Sequence, residues 1–391
     1  MRCAVRILTM ILLGVTLAIG VAEAAVRYMM PIPEEQLLPL PYNREALRKI
    51  IAGDTYYRFD QQLGWVPGGT GNYGKVVYRA NAAGFRANRE YDLQPPATGR
   101  RIGAFGDSFT HCDEVDYKDC WTFKLETAWP GSEVLNFGVP GYGTDQAWLR
   151  YKRDGRQYRP CVVLIDYFVE NINRVVNRFR PFYSPEDGIA LSKPRFVLDG
   201  DGLRLMPNPT TNPEQLTDPA WVEHELGPND AWYFPHVFTS TLLDVSEIER
   251  VARSAAYRSS HRDLERGDGR YPMYRTHPEA VELTTRILTE FARDTGRDGA
   301  TPVVVFFPGR RDVTDAAIRQ IEEPYTPIMH RLESEGVATI DLAEYVIPFV
   351  QRRGTDGLYA ENGHYNQRGN ELIATALAQR LPSITAHTCT G

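Results

Sequence analysis

Arg101-Ile-Gly-Ala-Phe105-Gly106-Asp107-Ser108-Phe109-Thr110 is the stretch on which the fold is read. Its short apolar run has the near-continuous hydrophobicity of a strand buried on both faces, and Gly106 then breaks it into a tight turn. A serine at the carboxyl end of a parallel strand sits where open α/β sheets hold their ligands. Such a turn can present both the serine Oγ and its backbone N–H. The structural alternative is a serine that merely caps a helix.

Four more runs share the character of the first: 133–136, 162–166, 303–307 and 338–340. Helical periodicity follows over 278–294, with Val281, Thr284, Ile287, Leu288 and Phe291 on one face, and again over 367–380. Strands separated by helices imply parallel pairing with right-handed crossovers. The expected class is α/β: a three-layer α/β/α sandwich around a central, mostly parallel five-stranded sheet. Residues 181–275 interrupt this rhythm with an expected hairpin at 196–206 and an amphipathic helix over 242–256, and they read as an insertion. Residues 28–98 read as an N-terminal extension with short strands. Within it, Gly69-Thr-Gly71-Asn-Tyr-Gly74 is formally GxGxxG, but Lys75–Arg79 after it reads as a strand, so a hairpin loop is expected and not a dinucleotide site.

Three further stretches bear on Ser108. Asn136-Phe-Gly138-Val-Pro-Gly141-Tyr-Gly143 follows the second strand, and its glycines allow close backbone approach, as an oxyanion donor requires. Glu170-Asn171-Ile172-Asn173 ends the third strand and offers an amide side chain. Glu361-Asn362-Gly363-His364-Tyr365-Asn366 precedes the last helix and supplies a histidine base with a carboxylate three residues ahead. Nucleophile, base, orienting acid and N–H donors are the requirements of acyl transfer through a covalent intermediate. His111 is expected in a loop or at the surface. His224, His236, His261 and His277 have no metal-like spacing. Asp199 and Asp201 begin like a calcium loop that nothing completes. No CxxC pair or HExxH occurs, so no metal or organic cofactor is expected.

In order and spacing these four blocks resemble the SGNH hydrolase superfamily, the GDSL-type esterases and lipases, over roughly 100–180 and 300–382. Asp60-x-x-Leu-Gly-Trp65 and Asn81-x-x-Gly-Phe-Arg86 resemble the preamble of exported bacterial members. The resemblance implies a hydrolase domain over 99–391. It implies Ser108 as nucleophile, His364 as base and Glu361 as the triad acid. The oxyanion hole would comprise Ser108, Gly141 and Asn171, with Asn173 an alternative for the last. Two departures from the pattern stand out: Val169-Glu-Asn-Ile172 replaces Gly-x-Asn-Asp, and Glu361 replaces aspartate, leaving Asp356 as another candidate acid. The implied activity is hydrolysis of O-acyl esters, acylated carbohydrate included. An O-acyltransferase of envelope or secreted polysaccharide and an inactive glycan-binding module are the competing readings.

Composition and the chain ends set the context. With 44 basic against 50 acidic side chains the net charge is −6, which supplies no cationic surface for nucleic acid. An uncharged run over 7–22 is flanked by Arg2, Arg6 and Arg27, so residues 1–27 read as a signal peptide or membrane anchor. Cleavage after Ala24 would release a soluble body. A retained helix would anchor it with the positive end inside, and retention is the expectation. Either way the body is exported, to a periplasmic or other extracytoplasmic space. In such an oxidising compartment Cys112, Cys120, Cys161 and Cys389 form an even set, and a Cys112–Cys120 bridge is one expectation.

Overall fold

The computed structural model describes residues 2–29, 44–97, 99–185, 188–239, 241–266 and 273–385. Five strands form the central sheet: β1 (Arg100–Phe105), β2 (Ser132–Asn136), β3 (Val162–Phe168), β4 (Thr301–Phe307) and β5 (Ala338–Asp341). Their order is β5-β4-β3-β1-β2. Every pairing is parallel, with Ile102 opposite Val162 and Thr301 opposite Val162 in the central registers. All seven residues of β3 are buried, as a strand covered by helices on both faces must be.

The helices that matter below are α1 (Arg2–Met29), α2 (Ser108–His111), α3 (Trp121–Ala128), α4 (Asn171–Val175), α5 (Glu247–Arg266), α6 (Pro278–Arg297) and α7 (Gln367–Thr385). α6 buries Thr284, Ile287, Leu288 and Phe291 of the face its periodicity marked, with Leu283 beside them, while Val281 is only half-buried. From β1 the chain moves outward to β2 and then returns to the other side of β1 as β3. The strand order therefore reverses between β1 and β3, and their carboxyl ends open a crevice. Ser108 follows β1 and Asn171 follows β3, so the topology alone puts both at that crevice.

Both expected hairpins occur, but the first is shifted, because Thr70–Tyr73, expected as its loop, is one of its two strands. Thr70–Tyr73 pairs antiparallel with Val76–Arg79, and Gly74 at the turn has φ +58, so no helix opens after the glycines. Arg195–Asp199 pairs likewise with Gly202–Met206. The amphipathic helix near 242 differs from expectation. A 3-10 turn occupies Leu242–Val245, and α5 begins only at Glu247. Cys112 and Cys120 are free buried thiols, not a bridge, whereas Cys161 is in a disulfide. Cys389 and the side chains of His236 and His261 lie outside the described residues.

Under the crevice the core is aromatic. Phe105 is fully buried, stacked on Phe137 at 4.6 Å and edge-on to Tyr151 at 5.4 Å. A Cβ on Gly155 would sit 2.3 Å from its ring, so the helical turn at 151–155 closes on Phe105 only because residue 155 lacks one. Phe105→Ala should therefore lower unfolding stability by about 3–5 kcal/mol in denaturant titration, the usual cost of emptying a phenylalanine site that cannot collapse.

Candidate active site

The first turn after β1 is fixed by sterics. A Cβ on Gly106 would meet the Asp166 Cβ at 2.3 Å and Thr110 Oγ1 at 2.4 Å, so only glycine fits. Asp107 then caps α2, its Oδ1 accepting from the Phe109 N–H at 2.9 Å. This cap leaves Ser108 as the first helical residue at the strand end, 6% exposed. Below it Thr110 Oγ1 donates to Asp166 Oδ2 at 2.5 Å. Burial, reinforced by the charge of Asp107, pushes the Asp166 carboxyl well above the ordinary range. Burial raises the Asp107 carboxyl too, opposed by the charge of Arg174 and the Phe109 N–H.

Asp107 is met by Arg174 on α4. Its Nη1 donates to Asp107 Oδ2 at 2.6 Å, to the Tyr142 carbonyl at 3.0 Å and to Asn171 Oδ1 at 3.1 Å. One nitrogen therefore ties together the residue before the serine, the glycine-rich turn after β2 and the amide at the end of β3. Nη2 reaches Glu170 at 3.1 Å. Because Asn171 Oδ1 faces Arg174, its NH₂ is turned elsewhere. Gly141 has φ +79, and a Cβ there would press on Ile189 at 2.9 Å. Among the described residues, the amides of Ser108 and Gly141 and Nδ2 of Asn171 meet no acceptor. Three donors on three strand ends thus remain available to a ligand. Asn173 differs, because its Nδ2 is directed to Tyr183 at 3.3 Å.

His364 lies over this turn, its ring 5.2 Å from that of Phe109. Its loop is fastened to the end of β4 by Tyr359 and Tyr365, whose hydroxyls both donate to the Pro308 carbonyl at 2.9 Å. The partner of its Nδ1 is Glu114, at 2.9 Å, and not Glu361. Glu114 also accepts from the His364 N–H at 3.1 Å and from the Asn362 N–H and Nδ2 at 3.0 and 3.1 Å. Glu361 is exposed and makes no hydrogen bond or ion pair with a described residue. The loop turns at Gly363, φ +94, and aims its N–H groups at Glu114 while residue 361 faces solvent. Asp356 is 86% exposed and pairs with Arg310. Both carboxylates nominated near the histidine are therefore elsewhere.

The residues that shape Glu114 come from the N-terminal extension. Glu114 itself has φ +69, and its N–H donates to the Tyr78 hydroxyl at 2.8 Å. Buried Arg86 donates to the carbonyls of His111, Cys112 and Val115, bracketing the same loop. His111 is fully buried, contrary to its expected surface place. Its Nε2 meets the Tyr56 hydroxyl at 2.9 Å and its Nδ1 meets Asp113 at 2.5 Å. The two carboxylates after the serine thus serve two different histidines.

Their electrostatics diverge accordingly. Burial raises the Glu114 carboxyl, but the bond from His364 and the two backbone N–H groups outweigh it and hold the group down at about 2. Burial would lower His364, yet the Glu114 bond and the charges of Asp113, Glu114 and Asp107 leave it above the ordinary 6.5. Burial dominates at His111, which is pushed down to about 4 despite Asp113. With Nδ1–H given to Glu114, His364 has Nε2 as its free acceptor.

No family model matches the chain, and no curated protein matches it in sequence. Among solved structures it is similar to an α/β hydrolase enzyme from the metagenome of Lake Arreo, Spain: 13% identity, TM-score 0.39, covering 75% of this chain and 99% of that one. A member of the lipolytic protein G-D-S-L family from Veillonella parvula gives 12%, 0.33, 72% and 98%. A two-domain esterase active on acetylated mannans gives 10%, 0.38, 75% and 51%. Similarity at this level carries no assignment, so the chemistry rests on the residues themselves.

The two histidines should titrate on opposite sides of 6.5. By NMR, the His364 imidazole should show a midpoint above that value and His111 should stay neutral to about pH 4. Glu114→Gln should bring the His364 midpoint down, because burial then acts with less opposition. An unmoved midpoint would show that the Glu114 contact does not set the charge of His364.

Proposed function

We propose that this protein is a serine esterase of the SGNH type that hydrolyses O-acyl esters through an acyl-enzyme. The observation that carries the reading is the bond from His364 Nδ1 to Glu114, which fixes the tautomer of a histidine lying over the Ser108 turn. Ser108 Oγ attacks the acyl carbonyl carbon as its proton passes to Nε2 of His364. The carbonyl oxygen becomes an oxyanion and accepts from the Ser108 and Gly141 amides and from Asn171 Nδ2. His364 returns the proton to the alcohol oxygen, the C–O bond breaks, and the acyl group stays on Ser108. Water repeats the sequence and releases the acid. Glu114 stabilises the imidazolium in both halves, and Arg174 positions the donors without touching substrate.

In this reading α1 stays on the chain and holds the body at an extracytoplasmic membrane face. Residues 5–29 are long and apolar enough to cross a bilayer.

A fluorophosphonate probe should label the protein at Ser108. Ser108→Ala and His364→Ala should each lower kcat for p-nitrophenyl acetate by about 10³–10⁶-fold, and Glu114→Gln by about 10²–10⁴-fold. Glu361→Gln should change kcat by less than about twofold. Near-normal turnover in Ser108→Ala refutes the nucleophile, and a crippled Glu361→Gln beside an active Glu114→Gln refutes the acid.

The base works only when neutral. Activity should therefore rise with pH through the His364 pKa, with kcat/KM inflecting above 6.5. In Glu114→Gln the residual activity should inflect at lower pH. An unshifted limb would assign the ionisation to another group.

A further inference from the structure

The emergent end of α1 is bolted to the insertion. Glu23 accepts from the Glu247 N–H, from Ser246 Oγ at 2.9 Å and from the Ile248 N–H at 3.3 Å, so it caps the start of α5. Arg27 donates to the Val245 carbonyl at 3.5 Å and lies 4.0 Å from the Glu247 carboxylate. Immediately before this junction stands the 3-10 turn Leu242–Val245. Its apolar side chains are almost bare: Leu242 is 95% exposed, Leu243 64% and Val245 80%. Several of the turn's polar groups are satisfied within the protein. Thr241 Oγ1 accepts from the Leu243 N–H at 3.2 Å, and Asp244 accepts from the Thr241 N–H at 2.7 Å and from Arg253 at 2.6 Å. A turn held this way displays three large apolar side chains in a fixed place, and three together are unusual on a water-facing surface.

Height along α1 identifies what they face. Glu23 lies 18 residues beyond Val5, or about 27 Å at 1.5 Å per residue, against roughly 30 Å of hydrocarbon. Glu23 and Arg27 therefore reach the far boundary of the bilayer, and the leucine turn bonded to them lies at the same level. Tyr28 and Met29, the two residues of α1 after Arg27, are each 81% exposed, and tyrosine is favoured at headgroup depth.

We propose that Leu242, Leu243 and Val245 form a second membrane contact, entering the headgroup–acyl boundary of the leaflet from which α1 emerges. The occupant is the phospholipid surface. The site adds a monotopic foot to a spanning helix, and the two together restrict how the body can tilt on the membrane. The inference rests on α1 being a retained span.

The test uses the full chain in phosphatidylcholine vesicles, at one copy or fewer per vesicle, with Cys3→Ser to remove an accessible thiol. Leu12→Cys reports the span, Leu243→Cys the turn, and Ile318→Cys a site on the body, on the helix Arg310–Arg319, that is 74% exposed. Each carries a nitrobenzoxadiazole label, with the unsubstituted chain taken through labelling as background. Lipid bearing a nitroxide near the headgroup end of the acyl chain should quench Leu243→Cys at least about threefold more than Ile318→Cys. Leu243→Cys unquenched while Leu12→Cys is quenched overturns the foot and leaves the span. Leu12→Cys unquenched overturns the span itself. Shielding of Leu243→Cys that appears only as protein density rises assigns the turn to a second copy and overturns the lipid contact.

Discussion

A single guanidinium nitrogen holds the site together. Arg174 Nη1 accepts no compromise in placement, because it must satisfy Asp107, the Tyr142 carbonyl and Asn171 at once. Each partner belongs to a different strand end of the parallel sheet. The Arg174 side chain is only 5% exposed and that of Asp107 not at all, so the pair is retained only because the surrounding bonds compensate desolvation. The available N–H groups of Ser108, Gly141 and Asn171 are the other side of this arrangement. Among the described residues no acceptor meets them, while Arg174 engages oxygens of the same three strand ends.

The sheet creates the need for such a clasp. Reversal of strand order between β1 and β3 opens a crevice, and crevices leave backbone groups unpaired. The loops that fill this one come from opposite directions of the winding. Packing of Phe105 against Phe137 and Tyr151 fixes the strand beneath, while Tyr359 and Tyr365 hang the histidine loop from Pro308 above. Rigid layers on both sides let short polar contacts decide the geometry between them.

Much of this was legible in the sequence. Buried strands announce themselves through unbroken apolar runs, and α6 through its period. That Ser108, Gly141 and Asn171 gather at the crevice was legible, because each stands within a few residues of the end of such a strand, where topology determines position. Glu114 was not. It stands six residues after the serine yet 250 residues from His364, and only the folded loop brings them together. Proximity in sequence favoured Glu361, but a turn at Gly363 sends that carboxylate outward. His111 misled for a related reason: polarity argued for the surface, whereas Tyr56 and Asp113 supply a fully hydrogen-bonded burial. Asp113-Glu114 directly after the Ser108 helix was the available signal, two acids in a loop with no evident structural duty.

The bracing of the Glu114 loop by the extension bears on where this protein can be cut. A chain trimmed to residue 99 onward would keep every strand of the parallel sheet, the serine, the histidine and Glu114 itself. It would lose Tyr56, Tyr78 and Arg86, and with them the hydroxyls and the guanidinium that hold residues 111–115 in their left-handed turns. The same cut would remove Trp65 and Phe85 from the core, Phe85 packing on Phe137 at 4.5 Å, so the extension belongs to the folded unit as well as to the bracing of the Glu114 loop. Excision, fusion or grafting of this scaffold has to carry it along.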